Sequence, residues 1–281
     1  MQSSRLRIQA IRHSGAFSVH ANGSRSIAGK KVIISTGGTA KNLSLAKNKA
    51  ISEYVERLFF YEKLALKNKE IDTTGLACRA FGLSSLWELR AIVRAATSEY
   101  LERYAIHTWW SQTYIRHVLE PVNSDNYQIF LKSLIDLDMK NSFEKLDLIR
   151  IPLNNKSVVF LAIGYLPDSG FVIGSSAGSL KDKESILFQA VVEQMRHWHI
   201  FKTNQNIGDT PYITKIQSFA KGRFDQALIK RLSVIGEQTI IAPKLKRQYY
   251  YARYFQRLYL LCRVYQKNFI DFISDEDSLC L

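Results

Sequence analysis

The segment AISEYVER, residues 50–57, returns almost unchanged as ATSEYLER, residues 96–103. If both segments are helical, side chains three positions apart project from the same face. Glu53 then lies beside Glu56, and Glu99 lies beside Glu102. Two copies of one acidic pattern indicate a paired arrangement in which four carboxylates could meet.

Each segment also carries an apolar stripe at helical spacing, which places its two glutamates on the opposite side of the helix. The stripes consist of Ile51, Tyr54, Val55 and Leu58, and of Val93, Ala96, Tyr100, Leu101 and Tyr104. A solvated polar face is the ordinary explanation for one acidic pattern of this kind. The repetition favours a shared role instead, because like charges at this spacing destabilise a helix, and Mg²⁺ is bound through carboxylate oxygens.

The chain has 281 residues, 46% of them hydrophobic, enough for one large domain or two small ones. Residues 1–30 are polar and basic, which predicts an irregular arm, and we expect one compact domain over residues 31–281. No segment approaches the roughly 20 apolar residues of a membrane span. The first residues also lack the apolar run of a secretory signal. We therefore expect a cytoplasmic protein with no membrane partner.

The formal net charge of +14 indicates an anionic partner such as nucleic acid, nucleotide phosphates, an acidic peptide or an acidic subunit. The sequence contains no Walker-type phosphate loop and no Gly-x-Gly-x-x-Gly. Residues 244–267 interleave Lys and Arg with tyrosines. Such a pattern either binds single-stranded nucleic acid or belongs to a structural element with tyrosines in its core.

The hydrophobic periodicity predicts both helices and strands along the chain. Gly37-Gly38-Thr39 and the pair Gly174 and Gly178 predict Gly-rich turns before helices, a geometry in which backbone N–H groups can face phosphate oxygens. In the third helix, Gln189 and Glu193 share the polar face. The predicted strands cover residues 31–36, 157–165, 171–175 and 239–242, and the predicted helices cover about 43–64, 85–117, 127–145 and 182–202.

Three segments, taken in order, resemble the YcaO family, whose members are ATP-dependent enzymes that modify peptide backbone amides. They read GGTAKNLSLAKNKAISEYVERLFF, TTGLACRAFGLSSLWELRAIVRAATSEYLER and GSLKDKESILFQAVVEQMRHW. The resemblance covers roughly residues 35–201 and, more loosely, residues 249–272. It is strongest to the YcaO subunit of microcin-type azole peptide synthetases.

The resemblance implies a YcaO-like mixed α+β fold in which acidic helices hold Mg²⁺ ions that bridge the phosphates of ATP. The implied metal ligands are Glu53, Glu56, Glu99, Glu102 and Glu193. Gln189 lies beside them, Arg103 contacts the phosphates, and Gly38 and Gly75 belong to the nucleotide-binding turns. No residue is assigned as a catalytic acid, base or nucleophile.

The implied reaction is the cyclodehydration of Cys, Ser or Thr in a ribosomally made precursor peptide. The side chain attacks the preceding amide carbonyl, the resulting oxyanion takes the γ-phosphoryl group of ATP, and phosphate leaves to give an azoline. In related members an external sulfide or amine gives a thioamide or an amidine. Positioning and charge stabilisation are sufficient for such chemistry. The implied partners are the precursor peptide, a ThiF-like protein that binds its leader and a flavin-dependent dehydrogenase.

The sequence departs from the family pattern at several positions. Lys49 replaces a small serine, Arg196 replaces a glutamine, and the asparagine of the Thr-Asn-Gly turn is missing between Thr74 and Gly75. These three departures weaken the expectation of nucleotide binding. The segment between the first two acidic helices is also shorter than in most relatives, and the proline-rich C-terminus of stand-alone cyclodehydratases is missing, which favours a subunit that acts inside a multi-protein synthetase. Two alternatives are a degenerate, non-catalytic YcaO scaffold and a basic protein that binds single-stranded nucleic acid. The repeated glutamates disfavour nucleic acid as a partner.

Overall fold

The computed structural model describes residues 6–12, 17–27, 29–40, 42–65, 75–80, 86–112, 114–121, 143–154, 156–203 and 211–266. Helices and strands are mixed along the chain, so the predicted fold class is confirmed. The chain divides into two compact units, residues 1–100 with 244–274 and residues 101–243 with 275–281. One domain can contain two such units, and the single domain expected over residues 31–281 stays a prediction.

The strands are β1 (Arg7–Arg12), β2 (Phe17–Ile27), β3 (Lys30–Ala40), β4 (Gly75–Ala80), β5 (Val118–Glu120), β6 (Lys145–Pro152), β7 (Ser157–Tyr165), β8 (Phe171–Ser179), β9 (Lys246–Tyr254) and β10 (Arg257–Tyr265). The α-helices are α1 (Leu43–Phe59), α2 (Leu86–Ser111), α3 (Lys183–Thr203), α4 (Pro211–Ala220) and α5 (Asp225–Leu232). A π-helical turn, Phe60–Ala65, follows α1, and a 3₁₀ turn, Leu180–Asp182, precedes α3. Within the described ranges, no helix combines the length and the apolar character needed to span a membrane.

The first unit contains two antiparallel sheets, ordered β1-β2-β3 and β4-β10-β9. Helix α1 contacts strands of both sheets and carries the stripe of buried residues that forms much of this core. The side chain of Asn42 caps its N-terminus by accepting the Leu45 N–H. Tyr54, Val55 and Leu58 are completely buried, as their helical spacing predicted.

The N-terminal strands correct one prediction. Residues 7–12 and 17–27 form β1 and β2, so the irregular arm predicted for residues 1–30 is wrong there. Strand β2 pairs with β3 along its whole length, from Phe17 opposite Ala40 to Ile27 opposite Lys30. Ser, Asn and Gly are poor strand formers, and their abundance concealed the alternating burial of β2.

The second unit contains the antiparallel sheet β5-β6-β7-β8, with α3 packed against β7 and β8. The predicted hairpin is confirmed, with Tyr165 opposite Phe171 at its closed end. The predicted helix over residues 127–145 lies mainly outside the described residues, and Lys145 begins β6. The strand predicted over residues 239–242 is wrong, because only Ile240 makes an isolated bridge, to Leu153.

The predicted Gly-rich turns are also wrong. Gly38 lies within β3, Gly174 and Gly178 lie within β8, and Gly75 begins β4. A Cβ added at Gly38, Gly75 or Gly174 would overlap the backbone of a packed helix. Glycine is therefore required for close approach of strand and helix, and not for a turn.

Replacing Gly75 with alanine is expected to destabilise the protein by about 2 kcal/mol or more, because the new methyl group overlaps the carbonyl of Ala96. Ser24→Ala, at an exposed position of β2, is the control and should change stability little. Urea unfolding of both variants measures the difference. Equal stability of Gly75→Ala and the wild type would contradict the packing described for β4 and α2.

A buried histidine in the second unit makes the stability of the folded protein depend on pH. His117 is fully buried, and its Nδ1 accepts the indole N–H of Trp109 at 3.3 Å. The guanidinium of Arg231 lies over the Trp109 ring and donates to the Ile115 carbonyl. Burial, aided by the nearby positive charge of Arg231, lowers the pKa of His117 from 6.5 to about 4.

Because the folded state resists protonation of His117, its stabilising contribution is present above pH 6.5 and is lost as the pH falls toward 4. The loss amounts to about 3 kcal/mol for a shift of this size. Urea unfolding between pH 7 and pH 4 is expected to show a steeper fall for the wild type than for His117→Gln, which lacks the titrating group. Parallel curves for the two proteins would show that His117 is not buried in its neutral form.

Candidate functional site

The tetrapeptide Ala-x-x-Glu occurs on α1, α2 and α3, and each copy packs against a glycine of a strand. The helix alanines Ala50, Ala96 and Ala190 are completely buried. The glycines that they face are Gly38 in β3, Gly75 in β4 and Gly174 in β8. Because the strand glycine has no side chain and the helix alanine has only a small one, the backbones of helix and strand come into direct contact.

This close packing lets a strand N–H reach the glutamate of each tetrapeptide. The bonds run from Gly37 to Glu53 at 3.4 Å, from Leu76 to Glu99 at 2.8 Å and from Ser175 to Glu193 at 3.3 Å. All three glutamates are half-buried against their strands. The expectation that the paired glutamates lie on the side of the helix opposite its core is therefore wrong, since they face the neighbouring sheets.

In the first unit the structure brings Glu53, Glu56 and Glu99 together. Glu56 Oε1 accepts the Cys78 N–H at 2.7 Å. Burial and the negative charge of Glu99 raise the pKa of Glu56 well above its ordinary value, and the attraction of Arg57 is smaller. A positive side chain also borders the cluster, since Arg57 Nη2 lies 4.0 Å from Glu53 Oε1.

Cys78 lies beside this cluster and is buried. Its Sγ donates to the carbonyl of Ser52 at 3.1 Å. Burial and the charge of Glu56 raise the pKa of the Cys78 thiol, which favours its neutral form.

In the second unit, Glu102, Gln189 and Glu193 converge on two serines of β8. Ser175 Oγ donates to Glu102 Oε1 at 2.6 Å, and the Ser175 N–H donates to Glu193. Ser176 Oγ donates to Gln189 Oε1 at 3.2 Å. Sequence reasoning missed both serines, although the Ser-Ser pair directly after Gly174 was the available signal.

The two positive residues that depart from the family pattern have different surroundings. Arg196 Nη2 lies 2.9 Å from Glu193 Oε1. Lys49 Nζ instead donates to the carbonyl of Thr39 at 3.2 Å, and burial lowers the pKa of Lys49. Only Arg196, of this pair, places its charge on a predicted metal ligand.

The remaining predicted residues are Arg103, Gly38 and Gly75. Arg103 follows Glu102 on α2 and is half-buried. The packing of Gly38 and Gly75 against helices accounts for glycine at both positions without a ligand. Their roles in nucleotide binding, and the contact of Arg103 with phosphate, stay predictions. Among the described residues, no group of three or more His, Cys, Asp or Glu side chains is arranged to hold a metal ion.

The tyrosine-rich segment forms β9 and β10. Tyr254 and Tyr259 are buried, and the Tyr250 ring packs 4.9 Å from that of Phe59. These residues confirm the interpretation of tyrosines as core. Tyr249 and Tyr251 remain exposed on β9.

No protein-family model matches the sequence, and no curated protein matches it either. The structure is similar to that of YcaO from Methanopyrus kandleri bound with AMPPCP and Mg²⁺, with a TM-score of 0.58 and 12% sequence identity. The alignment covers 97% of this chain and 88% of the other. This chain has the YcaO fold.

A second similar structure is the E. coli microcin synthetase McbBCD complex with pro-MccB17 bound, at a TM-score of 0.48 and 14% identity. The alignment covers 86% of this chain and 62% of that one. The predicted resemblance to the YcaO family is confirmed at the level of the fold by the Methanopyrus kandleri structure.

Replacing Glu56 with glutamine should stabilise the protein at neutral pH in buffer without divalent cations, with a rise of about 2–4 °C in Tm. The amide oxygen still accepts the Cys78 N–H, while the repulsion from Glu99 disappears. Thermal unfolding measures the shift. Glu184→Gln, at an exposed position of α3, is the matched control. A lower Tm for Glu56→Gln would show that repulsion between Glu56 and Glu99 does not destabilise the folded protein.

Proposed function

We propose that this protein carries out ATP- and Mg²⁺-dependent modification of peptide backbone amides. The observation that supports it most strongly is the repeated Ala-x-x-Glu packing, which holds glutamate carboxylates against strands in a YcaO fold. The similar structure from Methanopyrus kandleri contains AMPPCP and Mg²⁺. The same two ligands are therefore the first to test here.

The first-unit carboxylates fit Mg²⁺. Mg²⁺ usually binds through one or two carboxylates together with substrate phosphates and water, so a dedicated cage of three protein ligands is not needed. Glu56 and Glu99 supply such a pair, and a cation would relieve the repulsion between them. Glu53 lies beside them on α1, and Glu102 is proposed as a further ligand in the second unit. Glu193 differs from these, because its carboxylate is already paired with Arg196.

The proposed reaction needs no nucleophile from the protein. Mg²⁺ would neutralise the charge that develops on the transferred phosphoryl group. The first-unit carboxylates would hold the metal. Gln189 is proposed from the sequence resemblance as a nucleotide contact, and Arg103 as a contact to the phosphates. Orientation of this kind can supply a large part of the rate enhancement.

We propose further that the product is an azoline and that the protein acts as a subunit of a synthetase. This proposal follows from the sequence resemblance to microcin-type synthetases, and it implies a ThiF-like partner and a flavin-dependent dehydrogenase. Mass spectrometry of a Cys-, Ser- or Thr-rich peptide separates the products. An azoline corresponds to the loss of one water per ring, whereas a thioamide replaces one oxygen with sulfur.

A non-catalytic scaffold is the second candidate function. The pairing of Arg196 with Glu193 favours it, because a predicted metal ligand is already neutralised within the chain. A scaffold of this type would not bind the nucleotide, so nucleotide binding separates the two functions.

Calorimetric titration with Mg²⁺-AMPPCP should show binding to the wild type and a loss of affinity of about tenfold or more for Glu99→Gln, which corresponds to at least about 1.4 kcal/mol. The amide of the variant still accepts the Leu76 N–H but cannot coordinate Mg²⁺ as a carboxylate does. Thermal unfolding verifies that the variant is folded.

The control is Glu144→Gln, which changes an exposed glutamate outside both clusters and should retain wild-type affinity. Unchanged affinity in Glu99→Gln would overturn the ligand assignment. Absence of binding to the wild type would favour the scaffold.

A further inference from the structure

The carboxylate of Glu193 interacts through both oxygens with groups of its own unit. Oε2 accepts the Ser175 N–H, and Oε1 lies 2.9 Å from Nη2 of Arg196, one turn further along α3. Nε2 of His197 lies 3.8 Å from the same Oε1. The side chains of Arg196 and Glu193 are only 21% and 30% exposed, so water screens this ion pair less than it screens a pair on the open surface.

The first unit offers a geometric contrast to this pair. Arg57 Nη2 lies 4.0 Å from Glu53 Oε1, a longer separation than the 2.9 Å between Arg196 and Glu193. A cation added at Glu193 would meet the guanidinium of Arg196 at contact distance, and like charges at such a distance repel strongly.

Lys49 shows that a positive residue near a predicted ligand does not by itself neutralise it. Its ammonium group donates to the carbonyl of Thr39 and makes no ion pair in the described structure. A guanidinium, in contrast, presents several N–H donors in a planar fork that suits a carboxylate. Lys49 and Arg196 carry the same charge, but only Arg196, of these two, contacts Glu193.

We propose that Arg196 is the resident counter-ion of Glu193 and takes the place that Mg²⁺ would otherwise hold at this carboxylate. Glu193 is then a positioning residue and not a metal ligand. It aligns Arg196 on α3 and fixes β8 through Ser175. The inference rests on the proposed function, and it specifies that function by excluding the metal from Glu193.

Counting bound Mn²⁺ by electron paramagnetic resonance, in the presence of AMPPCP, tests the assignment. Glu193→Gln should bind as many Mn²⁺ ions as the wild type, with affinities within about twofold. Arg196→Gln should bind one more, because it frees a carboxylate oxygen, and Glu193→Gln combined with Arg196→Gln should return to the wild-type number. Loss of a bound Mn²⁺ in Glu193→Gln would overturn the proposal, as would an unchanged number in Arg196→Gln.

Lys49→Gln is the matched control, since it removes a positive charge that does not contact Glu193, and it should leave the number of bound Mn²⁺ ions unchanged. A gain in Lys49→Gln equal to that in Arg196→Gln would show that overall charge, and not the ion pair, controls metal binding. Failure of the proposed function has a separate signature, which is the absence of AMPPCP-dependent Mn²⁺ binding by the wild type.

The ion pair can also be tested without nucleotide by a double-mutant cycle on Glu193 and Arg196. The coupling between the two residues should change the unfolding equilibrium constant by roughly two- to tenfold, and adding Mg²⁺ should not reduce it. A coupling that disappears in Mg²⁺ would show that the ion displaces Arg196 and would overturn the proposal, whether or not the wild type binds AMPPCP.

Discussion

The hydrogen bond from a strand N–H to a helix carboxylate is the interaction on which the candidate site depends. It holds Glu53, Glu99 and Glu193 in place, and it forms only because glycine on the strand and alanine on the helix allow the backbones to touch. A buried N–H without a partner would cost free energy, so the glutamate also completes the hydrogen bonding of its sheet. The site carboxylates are thus part of the packing of the fold.

Identical packing does not give the carboxylates identical chemistry. Glu56 accepts the Cys78 N–H and Glu99 accepts the Leu76 N–H, whereas Glu193 also forms an ion pair with Arg196 at 2.9 Å. On the proposal that Arg196 takes the place of Mg²⁺ at Glu193, one substitution a helical turn away from a glutamate removes that glutamate from metal binding.

The helices that carry the site could be predicted from sequence, because apolar residues at helical spacing identified α1, α2 and α3. The predicted end of α2 at residue 117 was wrong, since the helix ends at Ser111 and His117 makes a β-bridge. The close packing could not be predicted, since glycine is common in turns and its use against a helix depends on which elements meet. Strand β2 was missed because Ser, Asn and Gly obscure its alternation. The sequence could not show that, among the described residues, Arg196 forms an ion pair with a glutamate and Lys49 does not. Such side-chain contacts follow from tertiary structure and not from sequence spacing.

A crystal structure with AMPPCP and Mn²⁺, using anomalous scattering to locate the metal, would show which carboxylates bind it. We expect Mn²⁺ coordinated by carboxylate oxygens of Glu56 and Glu99, with the Arg196–Glu193 ion pair intact. Mn²⁺ coordinated by Glu193, or none at Glu56 and Glu99 when AMPPCP is bound, would contradict this expectation.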